Sequence, residues 1–236
     1  MRAKRLLLVL AISAAAPAQA VAPLPPRPAA AAPDAFGSVA LALGPNRYSE
    51  RWQRVAASGA PGELARLVQP ARALGPTAKA AFVNAALNQR IRYRFDTDPT
   101  GDRWASAAET LGKGAGDCED YVIAKMHALK RLGVPARDLY MTIGQEGTAG
   151  AAHAVLLVRA SGGLYVLDNR SDRLIPEASY GGFYPIISFS AAGGSWLHGY
   201  PRGRTPPAVR AMSQVFAQGR HVPLGSSEAS RRRLAG

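Results

Sequence analysis

Cysteine is nearly absent from this sequence: Cys118 is the only one among 236 residues. A single thiol cannot close an internal disulfide, so a disulfide-stabilised scaffold is excluded. The four histidines are scattered, which argues against a zinc site built from closely spaced Cys and His ligands. An EF-hand loop is missing as well. The thiol therefore either awaits a partner or is reactive.

Long hydrophobic runs are also missing. The one apolar run, residues 6–16, is too short to span a bilayer well; it follows the basic residues Arg2, Lys4 and Arg5 and precedes the Ala18-Gln19-Ala20 sequence. This order predicts a secretory signal peptide at residues 1–20. We therefore expect an exported, periplasmic protein without a transmembrane segment.

Acidic residues are scarce, with 16 Asp and Glu against 29 Lys and Arg. Much of the positive excess lies in the signal peptide and after Pro201, so it predicts loose attraction to anionic surfaces. Nucleic-acid binding is not predicted, because no aromatic residues interleave the basic ones. Composition predicts an Ala/Pro-rich leader at 21–40, one domain at 41–202 and a basic, loosely ordered tail at 203–236.

Hydrophobic periodicity within the domain predicts both helices and strands. The clearest helical pattern covers residues 119–132 and is stopped by Gly133 and Pro135. Other helices are expected at 49–68 with a break at 59–62, at 77–91 and at 106–111, and strands at 140–144, 152–159, 164–167 and 183–189. This order predicts an α+β fold in which the helix after Cys118 packs on an antiparallel sheet.

Cys118 lies at the start of that helix. Unpaired backbone N–H groups and the positive end of the helix dipole favour a thiolate there and offer hydrogen bonds to an oxyanion. The alternative is a small buried hydrophobic residue. Its place at the helix start, rather than on the apolar face, favours a nucleophile.

The relative positions of His153 and Asp168 follow from hairpin register. If Ser161-Gly162 forms a two-residue loop, Ala160 pairs with Gly163 and Asp168 becomes the diagonal neighbour of His153 on one face of the sheet. A loop of odd length would put the two side chains on opposite faces.

Together with the thiol, this pair suggests a nucleophilic triad. His153 would be the base and Asp168 would orient it, with Asn169 as the competing third member. Of the other histidines, His127 is expected on a solvated flank of the helix and His198 in a Gly/Pro-rich stretch without partners.

Three acids crowd the thiol: Asp117, Glu119 and Asp120. Their charges would raise the pKa of a group that works as an anion. They could point outward, as an N-cap and as partners of the helix dipole. Alternatively, their carboxylate oxygens could coordinate a hard cation such as calcium.

Several motifs in order resemble the bacterial transglutaminase-like cysteine proteinases, of which the LapG-type periplasmic proteases are members. The resemblance covers about residues 45–200. It is carried by NAALNQRIRY at 84–93, Trp104-Ala105 with Glu109, GDCEDY at 116–121 with Ala124-Lys125, LGVP at 132–135, HAVL at 153–156, VLDN at 166–169 and YPIISF at 184–189.

The resemblance implies a papain-like, transglutaminase-like core. It implies catalytic roles for Cys118, His153 and Asp168, and calcium bound by Asp117, Glu119 and Asp120. It also implies a protein substrate, such as a large surface adhesin cut at paired alanines, and control by an inner-membrane receptor for cyclic-di-GMP. Ala154 stands where the resemblance leads us to expect Met, which bears on the substrate and receptor rather than on the triad.

Two other functions stay open. The same three residues would serve a transglutaminase, in which an amine replaces water as the acyl acceptor. A non-catalytic binding module could also keep this fold with a relic triad. Analysis of the products distinguishes a transglutaminase from a peptidase. The reactivity of the Cys118 thiol distinguishes a catalytic protein from a non-catalytic binding module.

Overall fold

The computed structural model describes residues 30–95, 103–147 and 151–201. The predicted signal peptide, the leader before residue 30 and the basic tail at 203–236 lie outside these ranges. Within them the α+β fold is confirmed: helices pack against one face of a mainly antiparallel sheet. None of the described helices is long and apolar enough to cross a membrane.

The described residues form five α-helices and nine strands. The helices are α1 (Ser49–Ala57), α2 (Gly62–Val68), α3 (Pro76–Arg90), α4 (Ala107–Lys113) and α5 (Cys118–Arg131). The nine strands are β1 (Val39–Leu43), β2 (Arg92–Tyr93), β3 (Ala115–Gly116), β4 (Leu139–Glu146), β5 (Ala151–Ala160), β6 (Gly163–Leu167), β7 (Ile175–Pro176), β8 (Phe183–Ser190) and β9 (Ser195–Gly199). Seven strands form one sheet in the order β1-β9-β8-β4-β5-β6-β7, and β2 pairs with β3 in parallel.

Helix α5 lies at the centre of the core. Every residue from Cys118 to Leu129 is buried, although only one stripe of the helix is apolar. The helix packs against α3, α4 and β5, so its polar residues are enclosed as well. A helix buried on all sides is held by its neighbours rather than by its own propensity, and its start is therefore rigidly placed.

The β5–β6 hairpin has the predicted register. Ala160 pairs with Gly163 and Leu156 pairs with Leu167, as a two-residue loop requires. Gly162 takes the positive φ of 94° that such a tight turn needs. Asp168 follows β6 directly and is thereby placed diagonally across from His153.

Two strands at the edge of the sheet were not predicted. Strand β1 begins at Val39, inside the segment assigned to the leader, and β9 was not predicted. These two short strands pair with each other, and their weak alternation gives little signal without the partner. His198 on β9 is buried; its ring nitrogens lie 2.7 Å from Ser38 Oγ and 2.8 Å from Ser188 Oγ, and burial lowers its pKa to about 4.

His127 is also buried, not solvated as expected. Its Nε2 lies 2.8 Å from the carbonyl oxygen of Val55 in α1. The sequence placed it on the polar side of α5, but α1 covers that side. Burial lowers the pKa of His127, which fits a neutral ring with a structural role.

Candidate active site

The chain enters α5 through a constrained turn. Gly114 ends α4 with φ 62°, a left-handed conformation that favours glycine. At Gly116, an added Cβ would lie 2.6 Å from the Asp120 carboxylate, so glycine is needed for this close approach. Asp117 then caps α5 by accepting a hydrogen bond from the backbone N–H of Asp120. Cys118 is thereby placed as the first residue of the helix.

The Cys118 thiol is 1% exposed and lies between an acid and a strand. Its Sγ donates a hydrogen bond to Oε2 of Glu119 at 2.8 Å and accepts one from the backbone N–H of Ala154. The Ala154 nitrogen belongs to the peptide bond that follows His153. Strand pairing between β5 and β6 ends before this point, which leaves the edge of β5 open to the sulfur.

The resting thiol is protonated. Burial raises the pKa of Cys118 well above its usual range, and the charges of Glu119 and Asp117 raise it further. The helix dipole was expected to favour the thiolate, but desolvation and the two acids outweigh it. Ionisation of Cys118 therefore needs an acceptor for its proton and relief from these negative charges.

His153 and Asp168 meet as the register predicts. His153 Nε2 lies 2.9 Å from Asp168 Oδ1, and both side chains are almost fully buried. An ionised carboxylate only accepts hydrogen bonds, so Nε2 carries the proton and Nδ1 is left as the basic nitrogen. Burial by itself would raise the pKa of Asp168, but His153 and Arg170 together hold it well below its usual range.

Asn169, the competing third member, does not make this contact. It follows Asp168, and its Oδ1 is buried without a hydrogen-bond partner among the described residues. Asn169 lies in the turn that follows β6, beyond the last paired residue of the strand.

The carboxylate of Asp168 is held by residues that the sequence analysis did not identify. The Arg170 guanidinium bonds Asp168 Oδ2 at 3.0 Å, and Tyr180 donates its hydroxyl to the same oxygen at 2.8 Å. Arg170 also forms an ion pair with Glu146 at the end of β4. The only sequence signal was the position of Arg170, two residues after the candidate acid.

Glu146, His153 and Asp168 also offer ligand atoms within 4.8 Å of one another, a spacing that would suit a metal ion. Arg170 already neutralises both carboxylates, however. We therefore interpret this group as an ion-pair network that orients the acid, since a guanidinium fork matches two carboxylates well.

The three acids around the thiol are buried, not turned outward. Asp117 and Asp120 are each 4% exposed and Glu119 is fully buried. Oδ1 of Asp120 accepts the backbone N–H of Ala105 at 2.8 Å, which ties the chain before α4 to the start of α5. Carboxylate oxygens are the ligands that a hard cation such as calcium prefers. Among the described residues, however, the group with three ligand atoms within 4.8 Å of one another is Glu146, His153 and Asp168, not these three acids.

Tyr93 is a further neighbour of the thiol. Burial raises its pKa, and the nearby Cys118, Asp117 and Glu119 raise it further. The residue ends the NQRIRY motif, and its strand β2 pairs with β3 directly before α5. The motif was visible in the sequence, but only the pairing shows that it lies beside Cys118.

Gly144 holds the histidine side of the site in place. Gly144 in β4 pairs with His153 in β5. A Cβ added to Gly144 would lie 2.5 Å from the Tyr184 carbonyl oxygen and 2.7 Å from the Phe183 ring. Phe183 packs edge-on against the His153 ring, with centroids 6.5 Å apart. Any movement of Phe183 therefore reaches the imidazole.

We expect Gly144→Ala to destabilise the protein by about 1–3 kcal/mol through overpacking and to lower activity further by displacing Phe183. Thermal unfolding and peptide hydrolysis measure the two effects. Gly181→Ala is the matched control, because its Cβ would meet open space in the turn before β8. Equal stability and activity of the two variants would contradict this account of Gly144.

Comparison with known proteins identifies the family. A model of the family described as bacterial transglutaminase-like cysteine proteinase matches residues 67–192, more than half of the chain. The matched residues include Cys118, His153 and Asp168. No match to the chain was found among the curated proteins.

Solved structures of LapG from Legionella pneumophila have a similar fold. The calcium-bound form is 24% identical with a TM-score of 0.51, over 79% of this chain and 98% of that one. The EGTA-treated form gives 24% and 0.51 over 73% and 100% of the two chains. A third LapG structure gives 25% and 0.51 over 73% and 99%. With the family match, this likeness shows that the chain belongs to the bacterial transglutaminase-like cysteine proteinases and is a cysteine peptidase.

Proposed function

We propose that this protein is an exported, calcium-dependent cysteine endopeptidase in which Cys118, His153 and Asp168 form the catalytic triad. One observation carries the proposal. The His153–Asp168 hydrogen bond of 2.9 Å leaves Nδ1 as the basic nitrogen, and the Cys118 sulfur lies against the peptide bond that follows the same histidine. These contacts support a site in which Cys118 is the nucleophile, His153 the base and Asp168 the orienting acid.

The proposed chemistry requires the thiol to turn from Glu119, to which it donates in the resting state, towards His153. Nδ1 of His153 takes the thiol proton, and the sulfur attacks the carbonyl carbon of the scissile peptide bond. The backbone N–H of Cys118, at the start of α5, supplies a hydrogen bond to the oxyanion. The imidazolium then gives its proton to the leaving amine, and a thioester to the enzyme remains. His153 next takes a proton from water as the water attacks the thioester, and the acid product and free thiol are released.

Asp168 stabilises the imidazolium that forms in both steps. Arg170 and Tyr180 keep its carboxylate ionised and fixed, so its charge is directed at the ring. Asp168 thus orients His153 but does not itself take up a proton during the reaction.

Asp117, Glu119 and Asp120 would hold the calcium ion. When bound, its positive charge would offset the acids that raise the pKa of Cys118 and would thereby favour the thiolate. The residue types support this assignment, because carboxylate oxygens are the ligands that calcium prefers. LapG from Legionella pneumophila has been solved in calcium-bound and EGTA-treated forms, which supports the choice of ion.

The substrate and location follow from family resemblance and from the predicted signal peptide at residues 1–20. We place the mature protein in the periplasm, where it would cleave a large surface adhesin near paired alanines. An inner-membrane cyclic-di-GMP receptor would be its regulatory partner.

The decisive assay incubates the mature chain with surface proteins encoded beside its gene and with peptides containing paired alanines. We expect chain cleavage that stops when a calcium chelator is added and resumes when calcium is restored. Mass spectrometry of the products, with a primary amine present, separates hydrolysis from acyl transfer. Cross-linked or amine-labelled products without cleavage would indicate a transglutaminase. Cleavage unaffected by the chelator would contradict the calcium requirement alone.

A further inference from the structure

Helix α5 carries a lysine that the proposed chemistry does not use. Lys125 lies two turns after Cys118 and is fully buried. Lysine is almost never fully buried unless its ammonium group is paired, because desolvation of the charge costs several kcal/mol. Its position in the core therefore needs a reason, and its contacts supply one.

The Lys125 ammonium group reaches helix α3. Its Nζ donates a hydrogen bond to Oδ1 of Asn84 at 2.8 Å, and it lies 5.6 Å from the ring centroid of Tyr121. Asn84 is fully buried as well, between α5 and the segment that follows β6. The bond orients the Asn84 amide, because an oxygen that accepts from Lys125 points the NH₂ group the other way.

That NH₂ group binds the loop that carries the acid of the triad. Asn84 Nδ2 donates to the carbonyl oxygens of Ser171 at 2.6 Å and Arg173 at 3.3 Å. One turn later on α3, Asn88 Nδ2 donates to the carbonyl oxygens of Asp168 and Ser171, both at 2.9 Å. Residues four apart lie on the same face of a helix, so the Asn84 and Asn88 amides both bind the 168–173 loop.

A continuous chain of hydrogen bonds thus joins the nucleophile helix to the main chain of Asp168. The electrostatics agree with this geometry. Burial lowers the pKa of Lys125 to about 7, while the charges of Asp168 and Asp172 oppose that shift. The ammonium group therefore interacts with the acid of the triad as well as with Asn84.

We propose that Lys125 is a positioning residue, which acts through Asn84 and alongside Asn88 to hold the 168–173 loop so that the Asp168 carboxylate meets His153. The inference rests on the proposed triad. It also gives a role to the asparagines of the NAALNQRIRY motif and to the lysine after GDCEDY, which the catalytic steps leave unexplained.

The test replaces Lys125 by Met, which has a similar length but neither charge nor donor. Lys130→Met is the matched control: this lysine is on the same helix and donates at 3.0 Å to the carbonyl oxygen of Ala56 in α1, away from the loop. Thermal unfolding establishes that both variants fold. Asn84→Asp replaces Lys125→Met if that variant does not fold, because it keeps the acceptor for Lys125 but loses the NH₂ group that donates to the loop.

Two measurements are made with calcium present. The first is the proton NMR signal of the His153 Nε2–H, which reports its hydrogen bond to Asp168. The second is the rate of alkylation of Cys118 by iodoacetamide at pH 7. We expect Lys125→Met to shift or broaden the NMR signal and to slow alkylation about 10-fold, which is less than the roughly 100-fold that a 1 Å misplacement of a catalytic group can cost. Lys130→Met should leave both unchanged.

The outcomes separate this inference from the proposed function. An unmoved Nε2–H signal in folded Lys125→Met overturns the positioning role, whatever the reactivity of Cys118. A Cys118 that reacts like an ordinary thiol in the unmodified protein overturns the proposed nucleophile, while the NMR signal still reports on the position of Asp168. Equal effects of Lys125→Met and Lys130→Met would indicate a general loss of packing and would also overturn the inference.

Discussion

Replacement of Cys118 by alanine is expected to lower peptide hydrolysis by roughly 10⁶-fold, as loss of a nucleophile does in other triad enzymes. No other thiol exists in the chain to take its place. The fold should persist, because the change removes one buried sulfur and costs on the order of 1 kcal/mol in packing. Cleavage of an alanine-pair peptide and thermal unfolding measure the two effects.

Cys118→Ser is the matched variant. It keeps a hydrogen-bond donor toward Glu119 but replaces the sulfur by a weaker nucleophile, so it should also be inactive. Substantial hydrolysis by the folded alanine variant would refute Cys118 as the nucleophile. A folded but inactive unmodified protein, with no alkylation of Cys118 below pH 8, would instead favour the non-catalytic binding module.

Asp168→Asn is expected to lower the maximal rate by about 10⁴-fold with little change in substrate affinity. An amide can present its NH₂ group to Nε2, which would turn the ring to the wrong tautomer and remove the basic Nδ1. It also removes the negative charge that stabilises the imidazolium. The ion pair with Arg170 would be lost at the same time. Steady-state kinetics separate the rate effect from binding.

Asp172→Asn is the control for this variant. Asp172 lies in the same loop but is exposed, and its carboxylate contacts Gln89 at 3.3 Å. We expect activity within about twofold of the unmodified protein, because exposed polar contacts contribute little. Equal losses in the two variants would mean that loop disruption, rather than the Asp168 carboxylate, explains the effect.

Much of the site could be predicted because it depends on local pattern. The apolar stripe after Glu119 and the stop at Gly133 located α5 to within a residue or two. The Ser161-Gly162 turn determined a register, and register determines which side chains share a face. His153 and Asp168, fifteen residues apart in the chain, were therefore brought together correctly before any tertiary contact was known.

The environment of the thiol could not be predicted in the same way. Helix position argued for a lowered pKa, while the structure shows a buried Cys118 donating to Glu119. Desolvation depends on what covers a group, and the cover comes from strands and helices distant in sequence. The same reason explains why the burial of His127 and Lys125 was not predicted. Both residues lie on the polar side of the amphipathic pattern of α5, yet both are inside the core.

The sequence by itself determined the main helices, the four central strands β4, β5, β6 and β8, the hairpin register and the three residues proposed for catalysis, because these follow from short-range periodicity and turn chemistry. Only the tertiary structure decided that α5 is enclosed on every side, that Arg170 and Tyr180 hold the Asp168 carboxylate, and that β1 and β9 complete the sheet. Burial and ion pairing are properties of segments that meet in space, so no single segment carries enough signal to reveal them.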